Sequence, residues 1–137
     1  SPIFQFNYRI EKITSLDGQE EKETFELKGK RLLLSSGIAN PQSFSKLLKL
    51  EEGCPVAEMR FEDHHNYSES SIRNMIEQGN NTPHDFWLTT EKDAVKLKSF
   101  QQQLKQLWVV KMKIQPDPEW PVFFNRFLDG LSKTSLN

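Results

Sequence analysis

The fold is decided by the stretch Leu32-Leu33-Leu34-Ser35-Ser36-Gly37. A continuous apolar run that ends in small residues is typical of a strand covered by other elements on both faces. Asn40-Pro41 follows and predicts a helix start, because it places an N-cap residue before a proline at the first helical position. We therefore expect a strand, a short loop and a helix, the unit from which parallel sheets are built.

The rest of the chain continues this order of strands and helices. The further predicted strands cover residues 54–61, 86–88 and 107–114. The predicted helices begin after Asn40, after Ser68 and near Ala94, and a last one covers residues 120–131. Gly79 is expected to end the second helix, and the strand at 107–114 is expected at an exposed edge. The pattern predicts an α/β fold with a three-layer, mostly parallel sheet and flanking helices.

An antiparallel hairpin is predicted before this sheet. Large apolar residues alternate with polar ones over residues 4–10, Asp17-Gly18 breaks the pattern, and residues 24–27 resume it. The hairpin is expected to have one face in water.

Composition limits the class of protein. The 137 residues carry 18 basic and 19 acidic side chains, which favours one soluble globular domain and argues against a nucleic-acid partner. The single cysteine, Cys54, lies in a half-apolar strand and is expected to be a buried structural thiol. The sequence shows no signal peptide or membrane span, and its opening Ser-Pro suggests a piece of a longer protein.

Three connections that follow strands and precede helices carry the candidate chemistry. They cover residues 35–41, 63–67 and 89–93. A parallel sheet gathers such connections along one edge, where ligands bind in open α/β folds. The first connection could let a backbone approach a ligand near a helix N-terminus, or it could be a capped turn.

The second connection contains Asp63-His64-His65. A carboxylate beside imidazoles suits a proton relay, since histidine titrates near neutral pH and a carboxylate can orient it. Adjacent side chains rarely point the same way, so one histidine would face the site. Two surface histidines beside an N-capping acid remain the alternative.

The third connection is Thr89-Thr90-Glu91-Lys92-Asp93. Thr90 fits an N-cap and Asp93 fits the third helical position of a capping box, which needs no catalytic role. Alternatively, Glu91, Lys92 or Asp93 orders a neighbouring loop or binds an anionic substrate. Both interpretations stay open at this point.

Together the three motifs resemble the tetraacyldisaccharide 4'-kinase family, the lipid A kinases. The motifs are Ser36-Gly37-Ile38-Ala39-Asn40-Pro41 with Phe44, Asp63-His64-His65 with Tyr67, and Thr89-Thr90-Glu91-Lys92-Asp93-Ala94-Val95-Lys96-Leu97. The resemblance runs from about Lys30 to Ile114. It implies transfer of the γ-phosphate of ATP, with magnesium, to the 4'-hydroxyl of a tetraacyldisaccharide 1-phosphate. The implied location is cytoplasmic, at the inner membrane surface of Gram-negative bacteria.

The resemblance also implies a division of the protein. Residues 1–29 would be a hairpin linker region, and residues 30–137 the C-terminal α/β domain of a two-domain kinase. The N-terminal P-loop domain, which in the family binds ATP and Mg²⁺ and associates with the membrane, would lie outside this chain. The isolated piece is then expected to be inactive.

The resemblance further implies roles for individual residues. His64 matches the catalytic histidine of the family, which acts on the sugar hydroxyl together with an aspartate of the other domain. The implied contacts to the lipid A disaccharide precursor or to the P-loop domain are Asp63, Asn40, Thr90, Glu91, Lys92 and Asp93. No metal ligand is expected in this chain.

Two other functions fit parts of the sequence. Asp-His-His also occurs in metal-dependent phosphohydrolases, but these need further aspartate motifs that the chain lacks. A non-catalytic binding module could use an exposed edge strand and the aromatic final helix.

Overall fold

The computed structural model describes the backbone of residues 6–116 and the side chains of residues 9–113. Residues Ile10–Met112 form one compact unit, and the following description applies to it. The strands are β1 (Phe6–Ser15), β2 (Glu21–Lys22), β3 (Arg31–Ser36), β4 (Cys54–Arg60), β5 (Phe86–Thr90) and β6 (Leu107–Pro116). The helices are α1 (Pro41–Leu50), α2 (Glu69–Asn81) and α3 (Glu91–Leu97), with short 3-10 turns at Thr24–Leu27 and Lys98–Phe100.

In the described part of the chain, six strands form one sheet in the order β2-β1-β6-β5-β3-β4. Strand β3 pairs in parallel with β4 on one side and β5 on the other, and β5 pairs in parallel with β6. Strands β1 and β2 pair antiparallel. The mostly parallel sheet and the antiparallel hairpin are therefore confirmed.

Both faces of the sheet are covered, as the run of leucines predicted. Leu32 and Leu34 pack into one apolar cluster with α1 residues such as Leu48. Leu33 packs into a second cluster with α2 residues such as Ile72. Because successive strand residues point to opposite faces, α1 covers one face while α2 and α3 cover the other. The three-layer arrangement follows.

The second strand of the hairpin differs from the prediction. It lies at Glu21–Lys22, and Thr24–Leu27 forms a 3-10 turn. The Glu23 N–H donates to Glu26 Oε2 at 2.8 Å, and Gly29 turns the chain with a φ of 72°. These local bonds start a turn where the apolar alternation alone favoured a strand.

Three further expectations were wrong. Helix α2 continues past Gly79 to Asn81, and Gly79 is buried within the helix instead of ending it. Strand β6 lies between β1 and β5 instead of at an edge. Cys54 is exposed, because it begins β4, the strand at one edge of the sheet. The predicted helix over residues 120–131 lies outside the described residues.

An ion pair joins the amino ends of β3 and β5. The Arg31 side chain donates from Nε and Nη2 to the two Asp85 carboxylate oxygens at 3.3 and 3.2 Å, and its backbone N–H donates to Oδ2 at 2.7 Å. The Asp85 N–H in turn donates to the Arg31 carbonyl at 2.8 Å. These bonds fix the register of two neighbouring strands at the end of the sheet opposite the candidate chemistry.

Burial on both faces of β3 has a measurable consequence. We expect Leu33→Ala and Leu34→Ala each to lower the free energy of unfolding by about 2–5 kcal/mol, because each deletes a side chain that is 1% exposed. Val56→Ala is the control: that side chain is 46% exposed on β4, and its loss should cost about 0.5 kcal/mol or less. Urea denaturation monitored by tryptophan fluorescence measures all three. A small loss for either leucine variant would contradict the three-layer arrangement.

Candidate active site

Three segments of the chain meet at the carboxyl ends of β3, β4 and β5 around the carboxylate of Asp93. Its Oδ1 accepts hydrogen bonds from the Gly37 N–H at 2.9 Å and from the Tyr67 hydroxyl at 2.8 Å. Its Oδ2 accepts from the Thr90 hydroxyl at 2.5 Å. Asp93 is only 2% exposed, so these donors replace the water that an ionised carboxylate otherwise requires.

Asp93 is in this position because α3 begins directly where β5 ends. Thr90 is the N-cap of the helix, and its hydroxyl oxygen accepts from the Asp93 N–H at 3.2 Å. The predicted cap is confirmed. The Asp93 carboxylate, expected to complete a capping box, instead reaches the two segments that follow β3 and β4.

The glycine loop, residues 37–40 after β3, passes very close to its neighbours. A Cβ atom at Gly37 would lie 3.0 Å from the Glu62 carbonyl oxygen, 3.2 Å from His65 Cβ and 3.3 Å from Asp93 Oδ1. The first of these is a backbone atom that cannot move aside cheaply. A side chain at position 37 would therefore make unusually tight contacts, and its neighbours would have to shift by a few tenths of an ångström.

The histidine loop, residues 61–68 after β4, contains a tight turn. The His65 N–H donates to the Glu62 carbonyl at 2.9 Å, and His64 takes up a left-handed conformation with a φ of 63°. Histidine tolerates this region better than most residues but at some cost in strain. The His64 side chain is 76% exposed, so its imidazole faces solvent.

The two histidines of this loop have different surroundings. The His65 ring stacks on Phe61 with a centroid distance of 4.7 Å and meets Tyr67 edge-on at 4.8 Å. Its Nε2 lies 3.3 Å from Ser71 Oγ. His65 is therefore part of the packing that holds the loop, whereas His64 is accessible to a ligand.

A chain of charges connects α3 to His64. Lys92 Nζ donates to Asp63 Oδ1 at 2.9 Å, and Asp63 Oδ2 lies 3.6 Å from His64 Nε2. The hydrogen bond from Lys92, together with the nearby His64, lowers the pKa of the Asp63 carboxyl below its ordinary value. Asp63 therefore stays ionised and can orient the imidazole beside it.

Two other predicted site residues, Glu91 and Asn40, make hydrogen bonds with backbone groups. Glu91 Oε1 accepts from the Met112 N–H at 2.8 Å, which extends the bonding of β6 beyond its last pair with β5. Asn40 occupies the N-cap position of α1, where its carbonyl accepts from the Ser43 N–H at 3.2 Å, and it is exposed at the same edge of the sheet. The structure thus brings together Asp63, His64, Lys92 and Asp93.

Tyr67 and Lys96 complete the site, although sequence reasoning gave neither a role. The Lys96 Nζ donates to the His65 carbonyl at 3.0 Å. Burial and the neighbouring Asp93 carboxylate raise the pKa of the Tyr67 hydroxyl, which therefore remains a donor. The four-residue spacing of Lys92 and Lys96 signalled that both share one face of α3.

Within residues 6–116, no group of three or more His, Cys, Asp or Glu side chains is placed to hold a metal ion. None of the helices in that range has the length and apolar character needed to cross a membrane.

Comparisons with known proteins agree on one family. The family model for tetraacyldisaccharide-1-P 4'-kinase matches residues 1–131. The tetraacyldisaccharide 4'-kinase of Bdellovibrio bacteriovorus is 30% identical over 112 residues, which are 82% of this chain and 33% of that protein. That of Geobacter metallireducens is 37% identical over 83 residues, 60% of this chain and 24% of that protein. The chain thus spans about a third or less of these relatives.

A solved structure supports the fold. The crystal structure of LpxK from Aquifex aeolicus, described as an "apo" form in complex with ATP, matches 91% of this chain and 35% of its own with a TM-score of 0.55. The sequence identity is 23%, so this likeness concerns the α/β fold alone.

The ion pair between Lys92 and Asp63 predicts a pH dependence. A carboxyl whose pKa is lowered by folding stabilises the folded state above its ordinary pKa of about 3.9, and this contribution is lost as the pH falls through the lowered value. We expect Lys92→Met to return the Asp63 pKa toward the ordinary value and to weaken this acid-sensitive contribution. Carbon-13 NMR titration of the carboxyl groups measures the change.

The matched control is Lys49→Met, which removes the same charge from an exposed position in the last turn of α1. It should leave the Asp63 titration as in the wild type. An Asp63 titration that Lys92→Met does not change would contradict the assignment of the lowered pKa to this pair.

Proposed function

Because the chain belongs to the tetraacyldisaccharide-1-P 4'-kinase family, we propose that it is part of a lipid A 4'-kinase. The enzyme transfers the γ-phosphate of ATP to the 4'-hydroxyl of a tetraacyldisaccharide 1-phosphate in lipid A biosynthesis. The observation that carries this proposal, beyond family membership, is the exposed His64 imidazole held beside an ionised carboxylate at the shared edge of the parallel strands.

We propose that this chain supplies one half of a divided active site. Residues 30–137 act as the C-terminal domain, and residues 1–29 act as the hairpin linker to a P-loop domain. The sequence holds no Gly-x-x-x-x-Gly-Lys-Ser/Thr, the motif that cradles nucleotide phosphates. ATP and Mg²⁺ then bind mainly to the other domain. An ATP complex is described for the Aquifex aeolicus protein, of which this chain matches 35%.

In phosphoryl transfer to the sugar hydroxyl, His64 acts on the acceptor hydroxyl. Phosphoryl transfer to a hydroxyl depends on positioning the acceptor and on giving its proton a destination, while bound ATP and Mg²⁺ supply the phosphoryl group and the neutralising charge. The His64 imidazole accepts the proton of the sugar hydroxyl or orients that hydroxyl for attack. Asp63 steadies the imidazole from 3.6 Å, and Lys92 holds Asp63 from the other side.

The partners follow from the same assignment. The substrate is a lipid A disaccharide precursor, and the other protein surface at the site is the P-loop domain of the same enzyme. We place the enzyme on the cytoplasmic face of the inner membrane of a Gram-negative cell, attached through that other domain. A phosphohydrolase of the Asp-His-His type is not favoured, because the family match spans residues 1–131.

A recombination assay tests the division of the site. The three samples are this chain alone, the chain mixed with a separately produced P-loop half, and the undivided protein, each with ATP and the disaccharide precursor. We expect phosphorylation by the mixture and by the undivided protein, because each contains both halves of the site. Activity of this chain alone would contradict the division, and inactivity of the undivided protein would contradict the kinase assignment.

Removing the His64 side chain should separate catalysis from folding. We expect His64→Gly in the undivided protein to lower kcat by about 10²-fold or more, because the general acid-base group is lost. Glycine is the better replacement here, because it adopts the positive φ of this position without strain. Steady-state kinetics and thermal unfolding measure the two effects.

The control is His84→Ala. His84 precedes β5 at the opposite end of the sheet, with Nδ1 2.6 Å from the Thr82 carbonyl oxygen. The kcat of the His84→Ala variant should stay close to that of the wild type. Near-normal turnover of His64→Gly would remove His64 from the mechanism.

A further inference from the structure

We propose that Asp93 is a positioning residue, which fixes the histidine loop so that His64 faces the sugar hydroxyl, and is not itself a contact to substrate or nucleotide. The inference rests on the proposed kinase function for its catalytic consequence. The structural part of the inference, that Asp93 fixes the histidine loop, rests on hydrogen bonds within the described residues.

The first argument is the state of the Asp93 carboxylate. It accepts from a backbone amide, a phenol and a threonine hydroxyl, at distances of 2.9, 2.8 and 2.5 Å. With the residue 2% exposed, a ligand could reach these oxygens only by displacing protein donors. Such an exchange would leave buried donors unpaired, which is costly. The carboxylate is therefore suited to holding protein segments.

The second argument is what the carboxylate holds. Tyr67 follows His64 by three residues, and its hydroxyl is bound to Asp93. Its ring meets Phe61 edge-on at 5.4 Å, so both ends of the loop are tied to one aromatic cluster. At the start of the loop the Phe61 N–H donates to the Ser36 carbonyl at 2.8 Å. The position of His64 thus depends on anchors on either side of it.

The third argument is that α3 binds the same loop at three points. Lys92 binds Asp63, Asp93 binds Tyr67, and Lys96 binds the His65 carbonyl. Of these three helix residues, Asp93 is the one that is 2% exposed, and its carboxylate also holds the glycine loop through the buried hydrogen bond from the Gly37 N–H. Loss of Asp93 would release two loops, whereas loss of either lysine would remove one exposed or half-buried bond.

The test uses the undivided protein, four single variants and one double variant. Asp93→Ala removes all three acceptor bonds, and Tyr67→Phe removes one. Asp93→Asn keeps an oxygen for Gly37 and Tyr67 and can donate to the Thr90 oxygen, but it removes the charge. Asp85→Ala is the matched control, because it deletes another aspartate that joins strands, at the far end of β3 and β5.

The first measurement is hydrogen-deuterium exchange followed by mass spectrometry, which needs no activity. We expect peptides that cover residues 61–68 to exchange about tenfold faster or more in Asp93→Ala, and at the wild-type rate in Asp85→Ala. Unchanged exchange over residues 61–68 in Asp93→Ala would overturn the proposal. This outcome is independent of whether the protein is a kinase.

The second measurement is steady-state kinetics. We expect Asp93→Ala to lower kcat by about 100-fold with an unchanged KM for ATP, because a displacement of about 1 Å can cost that much. Asp93→Asn should retain kcat within about tenfold of the wild type, since the geometry survives without the charge. The double variant with Tyr67→Phe and Asp93→Ala should be no slower than Asp93→Ala alone.

The two proposals fail in different ways. An Asp93→Asn variant as slow as Asp93→Ala, or a large rise in KM for ATP, would overturn the positioning role and indicate direct contact by the charge. An inactive wild-type protein would overturn the kinase assignment, while the exchange data would still decide whether Asp93 holds the loop. Should Asp93→Ala fail to fold, Tyr67→Phe and Asp93→Asn supply the same comparison.

Discussion

A single buried charge determines how the candidate site is built. An ionised carboxylate that is 2% exposed must find hydrogen-bond donors in the protein, and Asp93 finds them in three different segments. The end of β5, the glycine loop and the histidine loop therefore occupy their positions together. The same close approach favours glycine at position 37, since a Cβ there would lie 3.0 Å from the Glu62 carbonyl oxygen and its neighbours would have to shift.

Features that depend on neighbouring residues could be predicted from the sequence. The leucines at 32–34 indicated a strand with two buried faces, and the two apolar clusters confirm it. Ser68 and Thr90 were correctly identified as N-caps, because a cap acts on amides two or three residues away. The family, too, could be inferred, since three spaced motifs carry more information than any of them alone.

Features that depend on residues distant in the chain could not be predicted from the sequence. Asp93 and Gly37 are 56 positions apart, and no local pattern says that an aspartate suited to a capping box will accept from a remote amide. The interior position of β6 depends on pairing with β1, which the alternation within β6 does not encode. Gly79 carries the usual signal for a helix end, but the helix continues to Asn81 and buries this glycine.

The direct junction of β5 and α3 limits how this chain can change in length. Strand β5 ends at Thr90 and α3 begins at Glu91, with no loop between them. The strand therefore determines the rotational phase of the helix, that is, which side of α3 faces the histidine loop. One inserted residue at this junction would turn the helix by about 100° and carry Lys92, Asp93 and Lys96 away from the loop they hold. Insertions between the 3-10 turn at Lys98–Phe100 and the start of β6 would leave that phase intact. Length variation is therefore compatible with the site after α3 and incompatible with it at the junction of β5 and α3.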